Sequence, residues 1–237
     1  MGKLIIIRHG QSTWNAENRF TGWVDVDLSK KGIKEAEEAG KLIKELNMDF
    51  EVYFTSYLKR AIDTLEIILK ILGKDKAYIK SHALNERHYG SFTAKIKSKI
   101  KEELGETEFL KYRRSWDVAP PSLNRGEKYS SHKDPLFKDL KHIPDTESLK
   151  DTANRVVSYF EKNIQIYLKQ NKNIIISAHG NSLRALCKYL FNISNLKINE
   201  LEIPTGNPLI IIFDKNLKIE KYYYLDKERE KKIIPNQ

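Results

Sequence analysis

Cysteine is almost absent from this 237-residue chain. The single thiol, Cys187, excludes an intrachain disulfide and any structural zinc site built on several cysteines. It lies in Ser-Leu-Arg-Ala-Leu-Cys-Lys-Tyr-Leu, a helical pattern in which a buried apolar thiol is expected rather than a nucleophile. Long apolar runs are missing as well. None approaches the ~20 residues needed to span a bilayer. The apolar start is short and runs straight into Arg8-His9, so no signal peptide is expected. Metal-ligand spacings are also lacking: the histidines form no HExxH or similar pattern, and no metal is expected. A reduced, cytoplasmic setting without a membrane partner follows from these absences.

What is present begins with charge. The formal net charge is +10, from 42 Lys and Arg against 32 Asp and Glu. Such a field attracts anions in general, from phosphorylated metabolites to nucleic acid. Lysines alternate with glutamates along helical stretches, the pattern of solvated helix faces. Clustered basic patches with interleaved aromatics do not occur, which argues against a nucleic-acid partner. A hydrophobic content of 40% is ample for a substantial core.

Two stretches organise the rest. Lys3-Leu-Ile-Ile-Ile-Arg-His-Gly10 is a run of buried-type residues that stops at a charged pair and a glycine. It reads as a central parallel strand, and the charges fall at its C-terminal end, where open α/β sheets place their sites. Asn173-Ile-Ile-Ile-Ser-Ala-His-Gly180 repeats the arrangement far away in sequence. If the two strands are neighbours, His9 and His179 share one cleft. A lone strand-end histidine carries little weight; the pair is harder to dismiss.

Between them the chain alternates strand and helix. Residues 11–27 read as a loop laid over a site, with Trp14 and Trp23 as anchors. Ser29 caps a helix whose inner face is Ile33, Ala36, Gly40, Ile43 and Leu46. Val52 to Ser56 is the next strand, and Ser56 is expected to cap the helix that follows. Arg60 then falls in that helix's first turn, a conflict with the dipole that a bound anion would resolve. Ala77 to Ile79 reads as a third strand, and one or two surface helices cover 95–112. Residues 113–145 are irregular and rich in proline, the mark of a functional lid. Thr146 opens a long helix, and 209–225 form a hairpin at the sheet edge. The tail from 226 is charged and expected to be mobile. These elements predict one α/β domain over 1–237, a three-layer α/β/α sandwich with a mostly parallel sheet and an antiparallel element near the end.

The strand-end residues are Arg8, His9, Arg60, Arg87, His88, Arg113, Arg114 and His179. Guanidinium groups match phosphate or carboxylate oxygens, and a histidine ring nitrogen can be a covalent nucleophile. A phosphoryl group held between two histidines and two arginines would have its charge neutralised during transfer. Asn15 or the Gly10 backbone offers neutral donors. Glu86 is the natural acid/base partner, since transfer to or from a hydroxyl requires proton exchange.

Longer motifs carry a resemblance. They are Arg8-His-Gly-Gln-Ser-Thr-Trp-Asn15, Asn18-Arg-Phe-Thr-Gly-Trp23, Asp25-Val-Asp-Leu-Ser29, Thr55-Ser56, Leu58-Lys-Arg-Ala61, Leu84-Asn-Glu-Arg-His-Tyr-Gly90, Arg113-Arg114, Pro120-Pro121, Ala178-His-Gly-Asn-Ser-Leu-Arg-Ala185 and Ile203-Pro-Thr-Gly206. Over residues 3–225 the chain resembles the cofactor-dependent phosphoglycerate mutases of the histidine phosphatase superfamily. The resemblance implies that His9 is phosphorylated and that Glu86 donates and accepts the proton. Arg8, Arg60 and His179 would surround the phosphoryl group, assisted by Asn15 and the Gly180 backbone. Thr21, Gly22, Tyr89, Lys97, Arg113, Arg114 and Asn181 would hold the rest of the substrate. It further implies 2,3-bisphosphoglycerate as the primer, phosphoglycerates as substrates in glycolysis and gluconeogenesis, no metal, and a homodimer or homotetramer. A phosphatase or a bisphosphoglycerate synthase/phosphatase would use the same phosphohistidine.

One stretch departs from the family pattern. Where Gln-Gly-Leu-Asn-Lys is common after His88-Tyr-Gly, this chain has Ser91-Phe-Thr-Ala-Lys-Ile-Lys97, so a glycine position is Ala94 and an asparagine position is Ile96. The alanine is costly only if its φ is positive. The lost asparagine removes a local backbone bond or a substrate contact.

Overall fold

Alternation along the first strand sets the architecture: Leu4 and Ile6 enter one hydrophobic cluster, Ile5 and Ile7 another. A strand buried on both faces needs a helical layer on each side. The computed structural model describes residues 2–75 and 77–233. In chain order its elements are β1 (Lys3–Arg8), α1 (Thr13–Ala16), α2 (Lys30–Glu45), β2 (Val52–Thr55), α3 (Lys59–Leu72) and β3 (Ile79–Lys80). There follow α4 (Lys97–Arg114), α5 (Leu149–Tyr159), α6 (Gln165–Lys169), β4 (Ile174–Ala178), α7 (Gly180–Leu190), β5 (Leu209–Phe213) and β6 (Ile219–Tyr224).

One sheet has the order β3-β2-β4-β1-β5-β6. Its first four strands run parallel, and β5 and β6 add an antiparallel edge. Ala39 and Ile43 of α2 and Leu65, Ile68 and Leu69 of α3 cover one face. Leu149, Ala153 and Val156 of α5 and Leu183 and Leu186 of α7 cover the other. This is the expected three-layer α/β/α sandwich. The register that matters is β1 against β4, where Arg8 lies opposite Ala178. His9 and His179 therefore leave two adjacent strands at the same level.

Several local expectations are corrected. Ile33 is 42% exposed, and Gly32 and Ala39 lie buried on the face it was assigned to. Gly32 is there because a Cβ on it would stand 2.1 Å from the Gln11 carbonyl oxygen, so α2 packs its first turn directly on the loop after β1. Ser56 does not cap α3. Leu58 occupies that position, and the Lys59 amide donates to the Asp25 carboxylate at 2.7 Å. Thr146 does not open α5 either: Ser148 is the cap, in a reciprocal box with Asp151. The expected long helix is interrupted by a π turn at Phe160–Ile164. The third strand is only Ile79–Lys80. The loop after β1 contains one helical turn, and α4 is kinked at Gly105, where φ is 75°.

The 113–145 segment carries a small core of its own. Phe137 packs with Trp23 and Leu58, backed by Leu140 and Ile143. Trp14 meets Tyr129 edge to face at 5.5 Å, so both tryptophans do anchor their loop. Of the tail, Arg229 donates to the Thr205 carbonyl at 3.1 Å and Ile233 is buried in the larger cluster. Residues 234–237 lie outside the described residues.

Ala94 has φ 68°, so the position is one at which glycine is favoured. Ile96 is the N-cap of α4 and supplies no side-chain cap. Ala94→Gly and Ile96→Asn should each stabilise the protein by about 1 kcal/mol. Together they should raise the melting temperature by roughly 4–8 °C, given about 2–4 °C per kcal/mol at this size. Thermal unfolding of the two variants and their combination checks this; an unchanged or lower melting temperature rejects the strain assignment.

Candidate active site

The strand ends and the loops above them enclose a cavity of about 180 Å³. Its cations are Arg8, Arg19, Arg60, Lys97, Arg113, Arg114, Arg184 and Lys231; its carboxylates are Glu86 and Glu202. That imbalance makes it an anion site. At its base the His9 and His179 rings meet edge to face with centroids 5.0 Å apart.

The chemistry of His9 follows from one hydrogen bond. Its Nδ1 lies 2.7 Å from the Gly10 carbonyl oxygen, which can only accept, so Nδ1 carries the proton. Nε2 keeps its lone pair. Burial, with the charges of Arg60 and Arg8, holds the imidazole well below its usual range, so the ring is neutral and nucleophilic at neutral pH. Burial also depresses His179, reinforced by Arg60 and His9. Ser56 Oγ, 2.7 Å from His179 Nε2, accepts from the Leu58 amide.

The arginines are held by backbone. Arg60 is 1% exposed and donates to the carbonyls of Val24 and Gly22 at 2.9 and 2.8 Å. Burial lowers it to about 10, so it remains charged at neutral pH. Arg8 donates to the Ile203 carbonyl at 2.9 Å. Arg184, lowered by burial to about 9, donates to Asn181 Oδ1 at 2.8 Å, and Asn181 Nδ2 donates to the Tyr89 hydroxyl at 2.8 Å. Lys97 is lowered to about 8, first by burial and then by Arg113 and Arg8. Arg114 pairs with Glu202.

Glu86 Oε1 accepts from the amides of Arg87 and Asn181 at 2.8 and 3.0 Å. Among the described residues its Oε2 takes no hydrogen bond, and a Cβ at Gly180 would lie 3.6 Å from it. Asn15 Oδ1 is used by the Ser12 amide. Among the described residues, buried Arg8 Nε, Thr21 Oγ1, His179 Nδ1 and Arg184 Nε have no partner. Orphaned polar atoms around a cationic cavity fit an oxygen-rich anion such as a bisphosphate.

The structure gathers Arg8, His9, Asn15, Thr21, Gly22, Arg60, Glu86, Tyr89, Lys97, Arg113, Arg114, Gly180 and Asn181 around this cavity. His179 stands behind His9. Arg87 and His88 turn away: Arg87 stacks on Tyr89 at 4.8 Å, and His88 lies against Ser131. The sequence reading missed Arg19, Arg184, Glu202 and Lys231 as lining residues. Arg19 and Arg184 sat inside quoted motifs, and Arg184 lies one helical turn from Gly180. Glu202 adjoins the Ile203 loop. Nothing in the sequence marked Lys231.

Fold and site together define a class, the histidine-based phosphoryl-transfer proteins. The chain belongs to the histidine phosphatase superfamily, branch 1, which it matches over residues 4–138 and 132–223. It is 49% identical to a 2,3-bisphosphoglycerate-dependent phosphoglycerate mutase of Pelagibacter ubique, over 99% of each chain. It is 46% identical to one of Treponema denticola, over 96% of this chain and 94% of that one. Among solved structures, a mycobacterial glucosyl-3-phosphoglycerate phosphatase superposes with a TM-score of 0.70 at 19% identity, covering 94% and 97% of the two chains. That likeness is one of fold.

The buried histidines set a pH dependence. His9 and His179 lie well below 6.5 in the folded state, and burial takes His88 to about 4. Below pH 6.5 the unfolded chain binds protons that the folded one refuses, so stability is lost as pH falls from 6.5 towards those lowered values. Each such histidine contributes a slope of about 1.4 kcal/mol per pH unit in that window. His9→Gln should flatten the pH dependence of unfolding between pH 6 and 5 by about that amount. Denaturant titrations at the two pH values measure it; an unaltered slope means His9 is protonated in the folded protein.

Proposed function

We propose that this protein interconverts 3-phosphoglycerate and 2-phosphoglycerate through phosphorylated His9, with 2,3-bisphosphoglycerate as primer and intermediate. The observation that carries the reading is the neutral His9, with Nε2 free, in one cationic cavity with Glu86, in a chain matching phosphoglycerate mutases end to end. When bound, 2,3-bisphosphoglycerate supplies the phosphoryl group that primes His9. As the Nε2–P bond forms and the P–O bond breaks, Glu86 exchanges the proton with the substrate oxygen. Arg8, Arg60 and His179 surround the three transferring oxygens, with Asn15 and the Gly180 amide assisting. Thr21, Gly22, Tyr89, Lys97, Arg113, Arg114 and Asn181 hold the remainder of the substrate. Transfer to one hydroxyl and return from the other give the net isomerisation.

A phosphohistidine open to water would hydrolyse, so the 113–145 segment acts as the cover that keeps water out. Among the described residues no helix is long and apolar enough to cross a membrane. A cytoplasmic setting belongs to the same reading, as does a homodimer or homotetramer, for which Ile79, 41% exposed on the end strand β3, offers apolar surface.

The test is isomerisation of 3-phosphoglycerate with and without catalytic 2,3-bisphosphoglycerate in EDTA, quenched before a coupled readout, beside inorganic phosphate release. Metal-independent turnover stimulated by the bisphosphate is expected, with His9→Ala inactive and kcat of Glu86→Gln about 10²–10⁴-fold lower. Steady phosphate release without isomerisation would move the assignment to a phosphatase.

A further inference from the structure

Directly behind Glu86 lies a buried ion pair that the reaction does not touch. Arg155 of α5 donates to Glu147 through Nε and Nη2 at 2.7 and 2.9 Å, and the two side chains are 17% and 5% exposed. The remaining capacity of both groups goes to one short stretch of backbone. Arg155 Nη1 donates to the carbonyls of Ala83 and Asn85, each at 2.9 Å, and Nη2 to that of Glu86 at 2.9 Å. Glu147 accepts the His88 amide at 2.8 Å, while its own amide donates to the His88 carbonyl at 2.9 Å. Trp23 Nε1 adds a second donor to the Glu86 carbonyl at 2.7 Å.

Residues 85–89 belong to no helix or strand, so no regular ladder fixes their dihedrals. Yet they carry the carboxylate whose Oε1 must reach the amides of Arg87 and Asn181. Only a planar fork with several donors in fixed directions can serve one carboxylate and three carbonyls at once; an ammonium cannot. A buried pair of this kind is a weak source of stability, because desolvation offsets its attraction, and a better source of geometric definition.

We propose that Arg155 and Glu147 are positioning residues that hold the 83–88 backbone so that Glu86 presents its free Oε2 to the transferred phosphoryl group's hydroxyl partner. Neither touches substrate. Glu147 also follows directly on the 113–145 segment, whose base is tied in by Thr146 Oγ1 donating to the Pro120 carbonyl at 2.7 Å. The clamp thereby joins the foot of that segment to the acid/base carboxylate. The role rests on the proposed one for Glu86.

The experiment is a double-mutant cycle between Arg155→Lys and Glu86→Gln, read as the rate of acid-labile phosphate transfer from labelled 2,3-bisphosphoglycerate to His9. Arg155→Lys should slow transfer ten- to a hundredfold at saturating donor, with KM within about twofold of wild type. In the Glu86→Gln background it should cause less than a threefold further loss. Equal losses in both backgrounds would overturn the proposal, since a general structural defect acts regardless of Glu86. Amide hydrogen exchange on the same variant gives a readout that needs no activity. Protection of the Arg87 and Asn181 amides should fall while that of Ile174–Ser177 in β4 holds. Unchanged protection at both amides, or loss across β4 as well, would also overturn it. Labelling of wild-type His9 without isomerisation would sink the mutase reading while leaving this test intact.

Discussion

The structure depends on burying positive charge that has no carboxylate pressed against it. Arg60 and Arg184 lose water, half-buried Arg8 loses part of it, and all three gain mainly carbonyl acceptors; the depressed values of Arg60 and Arg184 record the cost. The same desolvation and repulsion keep His9 and His179 neutral. A nucleophilic imidazole is thus a consequence of the cationic cage rather than a separate device. An anion entering this cavity meets dipoles and charges already in place, so little reorganisation accompanies transfer.

Holding such a cage requires a frame that does not relax. The parallel ladder of β1 and β4 sets the two histidines, and close backbone approach sets the loops above them. Gly32 admits the first turn of α2 onto the Gln11 carbonyl, while Arg60 fastens the 22–24 loop from below. The 83–88 stretch lacks a ladder and is fixed instead by one ion pair and one indole. Rigid elements carry His9, and a polar clamp holds the stretch that carries Glu86.

Legibility in the sequence followed the range of the interactions. The strands, their burial on both faces and the convergence of His9 and His179 were readable, because a continuous apolar run ending in His-Gly is a local signal. Caps were less so: Ser56 and Thr146 have the right chemistry, yet Ser56 is engaged by His179 and Thr146 by Pro120, and Leu58 and Ser148 take the caps. The π turn at Phe160 leaves no mark on apolar periodicity. Most site residues came from long motifs, whereas Lys231 and the Arg155–Glu147 pair depend on contacts spanning many residues. Ala94 shows the converse case, a local oddity whose meaning became clear only once its positive φ was known.

The cations also differ in how they are held, and the difference bears on how two transfers would share one cavity. Arg8 and Arg60 are fixed by the carbonyls of Ile203, Val24 and Gly22 in the cavity that His9 lines, so in the proposed reaction they form a rigid fork for the transferred group. Lys97, Arg113 and Arg114 are partly exposed, and Arg114 shares its charge with Glu202. Ammonium groups and shared guanidinium groups attract an anion without dictating one orientation. A bisphosphate must present first one end and then the other to the same histidine. Fixed guanidinium groups beside His9 and less constrained charge around them would serve that exchange. Making the rim as rigid as the base would favour one monophosphate orientation over the other and stall the exchange on which isomerisation depends.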